Sequence, residues 1–175
     1  MKGTDVPDLS PLKDWSEVPA LEPRGGLRTF VSGDLNSDLL RVRYFRRDSD
    51  GALVGKVWFG PKAEGPPGHA HGGSMAAVLD EAMGGAAWMA GHPVVAAQIT
   101  TKFRQMMPLK TIVFLEAWVT KVTGRKVRTR GRLCDQNGNS FSEGEGLFIQ
   151  LDPNLLENLS DDVLDVLKKI RKNGE

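Results

Sequence analysis

Residues 74–90 carry the only strong helical pattern in the first two thirds of the chain, and the face of that helix is built mostly of small residues. Met75, Val78, Leu79, Ala82, Met83, Ala86 and Ala87 recur at spacings of three and four. Ser74 is suited to cap its start, and Gly91-His92-Pro93 ends it. Gly84 and Gly85 lie inside it, and each interior glycine costs a helix about 1 kcal/mol relative to alanine. A helix with so small a surface gains by close approach of other backbone. The pattern therefore predicts a helix wrapped tightly by a sheet.

The rest of the chain supplies that sheet. Residues 39–46 and 53–59 read as strands, joined by Asp48-Ser49-Asp50-Gly51, whose residues tolerate positive φ. Residues 60–73 hold three prolines and five glycines and read as irregular. Strand-type stretches follow at 94–105, 111–123, 125–134 and 140–151, the last two joined at Asn137-Gly138. Connections this short demand antiparallel neighbours. The fold class is α+β: a long central helix wrapped by a curled antiparallel sheet of five to six strands. Residues 1–38, rich in Pro, Gly and Asp, form an irregular N-terminal arm ahead of the 39–151 domain. Residues 152–175 hold a C-terminal surface helix. In it Ser160 is the cap, Asp161 and Asp162 sit at the positive end, and Lys168, Lys169 and Arg171 sit at the negative end.

Composition narrows the function classes. The chain has 175 residues and 40% hydrophobic content, enough for one core. Lys+Arg number 23 and Asp+Glu 22, a net charge of +1 with no global pull toward nucleic acid or anionic membrane. Cys134 is the single cysteine, so no intrachain disulfide forms. A lone thiol in an alternating strand pattern reads as a buried structural residue in a reducing compartment, and we expect a cytoplasmic protein. Residues 1–14 contain no apolar run, so neither a signal peptide nor a membrane span is expected there.

Chemistry concentrates in residues 64–81. Glu64-Gly-Pro-Pro-Gly-His-Ala-His-Gly-Gly-Ser74 runs into the start of the helix. Free N–H groups and the helix dipole there favour negative charge, as on a developing oxyanion. Gly72 and Gly73 let a ligand approach the backbone closely. Asp80 falls at the edge of the apolar stripe, whereas Glu81 points further round. A carboxylate at such an edge loses solvation and gains basicity, which makes Asp80 the candidate acid–base group. His69, His71 and Asp80 are too few and too loosely spaced to form a metal site, and none is expected.

Gly65-Pro-Pro-Gly-His-Ala-His71-Gly72-Gly73, followed by Asp80-Glu81-Ala-Met-Gly84, resembles the PaaI-like branch of hotdog-fold thioesterases. The HGG triplet with an Asp nine residues after its His is the mark of that branch, and the resemblance covers about residues 39–151. It implies a hotdog fold, a homodimer or homotetramer, an acyl-CoA substrate, no cofactor, and an active site at the dimer interface. Carried over by position, the Gly72 N–H polarises the thioester carbonyl and His71 shapes the pocket. Asp80 of the partner subunit acts as nucleophile or general base. Gly73, His69 and Glu81 are the neighbouring substrate-binding candidates.

Two positions depart from the pattern. Gly65 stands where many members have Asn or Gln, with His69 as the substitute at hand. Ala96 stands where many have a water-orienting Ser or Thr. Lys126, Arg128, Arg130 and Arg132 alternate along one strand. They are either a solvated face or, for Arg128 and Arg130, a cradle for the phosphates of coenzyme A. The competing readings are a non-catalytic acyl-CoA-binding protein and a hotdog hydratase or dehydratase.

Overall fold

A computed structural model describes residues 7–18 and 30–152 of the chain. The described strands are β1 (Trp15–Glu17), β2 (Leu40–Arg47), β3 (Leu53–Phe59), β4 (Val94–Phe103), β5 (Ile112–Thr123), β6 (Lys126–Cys134) and β7 (Ser140–Gln150). One helix, α1 (Gly72–Met89), lies between β3 and β4. The strands form one antiparallel sheet in the order β1-β2-β3-β5-β6-β7-β4. The chain thus leaves β3, crosses the sheet as α1, adds β4 at the far edge, and returns to place β5 beside β3.

Turn chemistry sets the hairpins. Gly51 takes φ +73°, its N–H bonds to the Arg47 carbonyl at 2.8 Å, and Asp50 clamps the Arg47 guanidinium. Between β6 and β7, Gly138 takes φ +84°, and Asp135 accepts from the N–H groups of Asn137 and Asn139.

The helix begins two residues earlier than its sequence pattern indicates. Its cap is His71, not Ser74, with Nδ1 accepting from the Gly73 N–H. The Ser74 hydroxyl instead donates to the His71 carbonyl at 2.7 Å. At the other end Gly91, at φ +84°, closes a paired cap in which His92 N–H bonds to Ala87 and Gly91 N–H to Trp88.

Val78, Leu79, Ala82, Met83 and Ala87 are fully buried under α1. The close approach expected from Gly84 is seen, since a Cβ there would lie 3.4 Å from Phe148. The sheet contributes as much. A Cβ at Gly131 or Gly144 would meet Met83 and Leu79 within 3.1–3.5 Å, so strand glycines make the trough that takes the helix. Beside it the hydroxyls of Thr129 and Ser142 are buried without a hydrogen-bond partner. Cys134 is buried as expected, and burial pushes its thiol up.

Two expectations change. The arm is not wholly irregular, because Trp15–Glu17 adds a seventh strand beside β2. Trp15 packs on Phe45 and Phe114, on the sheet face away from α1. The C-terminal helix expected at 160–171 lies outside the described residues.

Candidate active site

The loop before α1 is a tight hairpin, not the irregular segment its composition implied. Ala63 and Gly65 on one arm face His71 and His69 on the other, with His71 N–H to the Ala63 carbonyl at 2.7 Å and Gly65 N–H to the His69 carbonyl at 2.9 Å. Pro66-Pro67-Gly68-His69 forms its tip, with Pro67 at the second position and Gly68 at φ +73°. Glu64 accepts from the Gly68 N–H at 2.7 Å. A Cβ on Gly65 would stand 2.7 Å from the His71 Cα. Packing therefore requires glycine where the resemblance led us to expect an amide.

The hairpin delivers His71 and Gly72 to the helix N-terminus with one donor unspent. Gly73 N–H goes to His71 Nδ1, and the N–H groups of Ser74 and Met75 go to the His71 carbonyl. The Gly72 N–H has no acceptor among the described residues. The two histidines are held in opposite tautomers by their partners. A backbone N–H only donates, so His71 Nδ1 is bare and its Nε2 carries the proton. A carbonyl only accepts, so His69 Nδ1 carries the proton toward Pro67.

Phe103, at the end of β4 and seven residues after Ala96, lays its ring over Gly72, 3.1 Å from where a Cβ would be. It is 54% exposed, so an open aromatic face stands beside Gly72. Its alternation partner Thr101 pairs with Gly144 on the α1 side of the sheet. Ala96 pairs with Phe148 on that same side, and the register shift between Ala96 and Gln98 puts it there. The hydroxyl expected near the site is thus absent at Ala96, and Thr101 is the hydroxyl residue on the same face.

Asp80 and Glu81 part company. Asp80 is half-buried, and loss of solvation pushes its carboxyl above the ordinary value. No hydrogen bond fixes it among the described residues. Glu81 accepts a 2.8 Å hydrogen bond from Tyr44 on β2. Burial, and then the Glu81 charge, push that phenol well above its usual value.

Arg128 and Arg130 are not brought to the hairpin. Their β6 neighbours Val127, Thr129 and Gly131 are buried, and both arginines project from the sheet face opposite α1. Arg130 is paired with Glu145 at 3.0 Å. Among the described residues no group of three or more His, Cys, Asp or Glu is gathered for a metal ion. No described helix is long and apolar enough to cross a membrane.

The motif-bearing stretch has known counterparts: residues 67–142 match the thioesterase superfamily. That stretch is similar to a thioesterase-superfamily domain, and the sheet wrapped on one helix is the hotdog fold of solved thioesterase-superfamily structures. It is 36% identical over 111 residues to the Bos taurus protein named acyl-coenzyme A thioesterase THEM4, a match covering 62% of this chain and 45% of that one. The chain therefore spans less than half the length of the curated relatives it matches. A crystal structure of a thioesterase superfamily protein superposes with TM-score 0.63 at 32% identity, covering 70% of this chain and 63% of that one. The fold is also shared with a Bacillus halodurans protein crystallised with CoA, at TM-score 0.54 and 22% identity, covering 63% of this chain and 74% of that one.

Among the described strands β4 is an edge strand, bonded to β7 alone. Val95, Ile99 and Phe103 stand exposed along it at 52%, 38% and 54%, an apolar edge of the kind that pairs with another chain.

Proposed function

We propose that the chain hydrolyses the thioester of an acyl-CoA to a free acid and CoA. The observation that carries this reading is the unpaired Gly72 N–H at the helix N-terminus, where a thioester oxygen gains charge as water adds to its carbonyl. The proton on His71 Nε2 offers a second donor beside it. Asp80, made more basic by desolvation, takes the proton of the attacking water or attacks directly. As general base Asp80 returns the proton it gains to the departing CoA sulfur; as nucleophile it displaces the CoA thiolate and forms a mixed anhydride, which water then hydrolyses to the free acid and the restored carboxylate. The relatives' names and the CoA-bound fold neighbour support acyl-CoA as the substrate.

One protomer does not complete this site for direct attack. Gly72 and Asp80 are eight residues apart on α1, about 12 Å along its axis. A carboxylate attacking a carbonyl bound to the Gly72 amide must come within roughly 6 Å of that amide. A homodimer joined edge to edge through β4 resolves this, with Asp80 of one copy serving Gly72 of the other. The Gly65 and Ala96 departures favour one alternative, an acyl-CoA-binding protein without turnover. The lone Cys134 supports a reducing, cytoplasmic setting.

Release of free CoA thiol from acetyl- to palmitoyl-CoA, phenylacetyl-CoA and benzoyl-CoA tests the reading. Turnover by wild type that is lost in Asp80→Asn is the expected result. Binding without turnover gives the alternative, and turnover undiminished in the variant removes Asp80 from the mechanism.

A further inference from the structure

The sheet face opposite α1 carries a second set of ionic groups, under the N-terminal arm. Arg41 and Arg43 of β2 lie directly across from Trp58 and Lys56 of β3. Like charges facing each other across a strand pair repel. Arg41 and Lys56 are each only 9% exposed, so desolvation adds to the cost.

Elsewhere on this face the chain cancels such charges, with Glu116 between Arg47 and Arg132, and Glu145 against Arg130. Under the arm the cancellation is incomplete. Arg43 is met by both oxygens of Glu17, at 2.8 and 3.0 Å. Arg41 stacks 4.5 Å over the Trp58 ring and gives its Nε proton to the Ser37 carbonyl at 2.8 Å. Its nearest carboxylate, Asp38, stays 3.9 Å away. Lys56 has one long hydrogen bond, 3.5 Å to the Asp8 carbonyl, and a charge interaction with the Asp8 carboxylate that falls short of an ion pair in contact. Among the described residues, two buried cations are left without a carboxylate in hydrogen-bond contact.

A cavity of about 350 Å³ opens beside them, walled by residues 7–10 of the arm, Leu35 and the two arginines. That volume suits a small molecule; Pro7, Leu9 and Leu35 are its apolar lining, and Asp8, whose carboxyl is held down first by Ser10 and then by the Lys56 charge, lines it beside the two arginines. We propose that this cavity binds a small oxyanion carried on a compact apolar body. Its carboxylate or phosphate takes the unspent N–H groups of Arg41, with Lys56 adding charge from the next strand. The site is separate from Gly72 and Asp80, which belong to the other side of the sheet.

Calorimetric titration of the full chain with octanoate, and separately with inorganic phosphate, tests this without reference to catalysis. At least one anion is expected to saturate at one per chain with Kd below about 1 mM, more weakly as salt is raised. Tighter octanoate assigns a carboxylate ligand held by the apolar wall, and tighter phosphate assigns a phosphate headgroup. Arg41→Gln is expected to weaken binding at least tenfold. Leu35→Trp keeps every charge but enlarges a side chain that lines the cavity, and is expected to do the same. Failure of both anions to saturate, or wild-type affinity in Leu35→Trp, overturns the proposal.

Discussion

The Tyr44 hydroxyl and the Glu81 carboxylate are joined by a 2.8 Å hydrogen bond from β2 to α1, one residue along the helix from Asp80. It gives two adjacent acids different surroundings: Glu81 is bonded to Tyr44, and Asp80 has no hydrogen-bond partner among the described residues and is raised by desolvation. Tyr44→Phe is expected to lower stability by about 1 kcal/mol, the net worth of such a bond, read as a shift in urea midpoint. Glu81→Gln keeps acyl-CoA turnover within a few-fold of wild type, whereas Asp80→Asn loses roughly 10²–10⁴ in kcat. Equal losses in the two variants would show that the roles are shared.

Phe103 over Gly72 makes a second prediction. A methyl at Gly72 meets the ring at 3.1–3.5 Å, so Gly72→Ala is expected to displace the ring and weaken kcat/KM by about tenfold or more. Phe103→Ala relieves the crowding. In Gly72→Ala/Phe103→Ala the loss should be smaller than the sum of the single losses. Strict additivity of the two would disprove the coupling.

The His71 cap can be measured through stability. His71→Ala removes the acceptor for the Gly73 N–H and is expected to cost about 1 kcal/mol. His71→Asn, which restores a capping oxygen, should recover most of that loss but not the Nε2 proton. Stability and turnover then move apart, a result that thermal melts and thiol-release assays report together.

Asp80 sets a pH dependence. Its folded carboxyl is raised above the ordinary 3.8 by burial. The ionised form therefore destabilises the native state at pH values above the folded value, and the penalty disappears below the unfolded one. Asp80→Asn is expected to melt higher than wild type at neutral pH, with the gap closing as pH falls through the carboxylate range. In the proposed mechanism turnover needs the ionised form, so its acid limb lies at a pH above 3.8. A gap that widens on acidification would reverse the sign and refute the assignment.

The β4 edge is testable by charge. Ile99→Lys places an ammonium on the exposed apolar edge and should halve the mass seen by light scattering, with turnover lost in parallel. Full turnover by a monomer would mean that Asp80 reaches Gly72 within one chain.

Much of the fold was legible because periodicity and turn chemistry are local. The alternation of β2–β7 and the three- and four-residue recurrence in α1 each mark one face, and Asp-Gly and Asn-Gly mark the hairpins where φ turns positive. The placement of the HGG triplet and Asp80 along one helix was legible for the same reason, since their spacing is read directly from the sequence. The arm strand was missed because three residues carry too little pattern, and Trp15 becomes interpretable only against Phe45 and Phe114. The Arg128 and Arg130 stripe was visible as an alternation. Alternation identifies a face without saying which face meets the helix, and both arginines turn away from it.

By itself the sequence determined the elements of residues 39–151 and their antiparallel connection, and it supplied the candidate acid and glycine, because these follow from neighbours along the chain. Only the tertiary structure decided that Gly65 must be glycine beneath His71 and that Phe103 lies over Gly72. It also decided that Glu81 is spent on Tyr44, and that Arg41 and Lys56 are buried together under the arm. Each of these depends on atoms brought together from distant or oppositely running segments, where distance and desolvation, not spacing in the chain, set the energy.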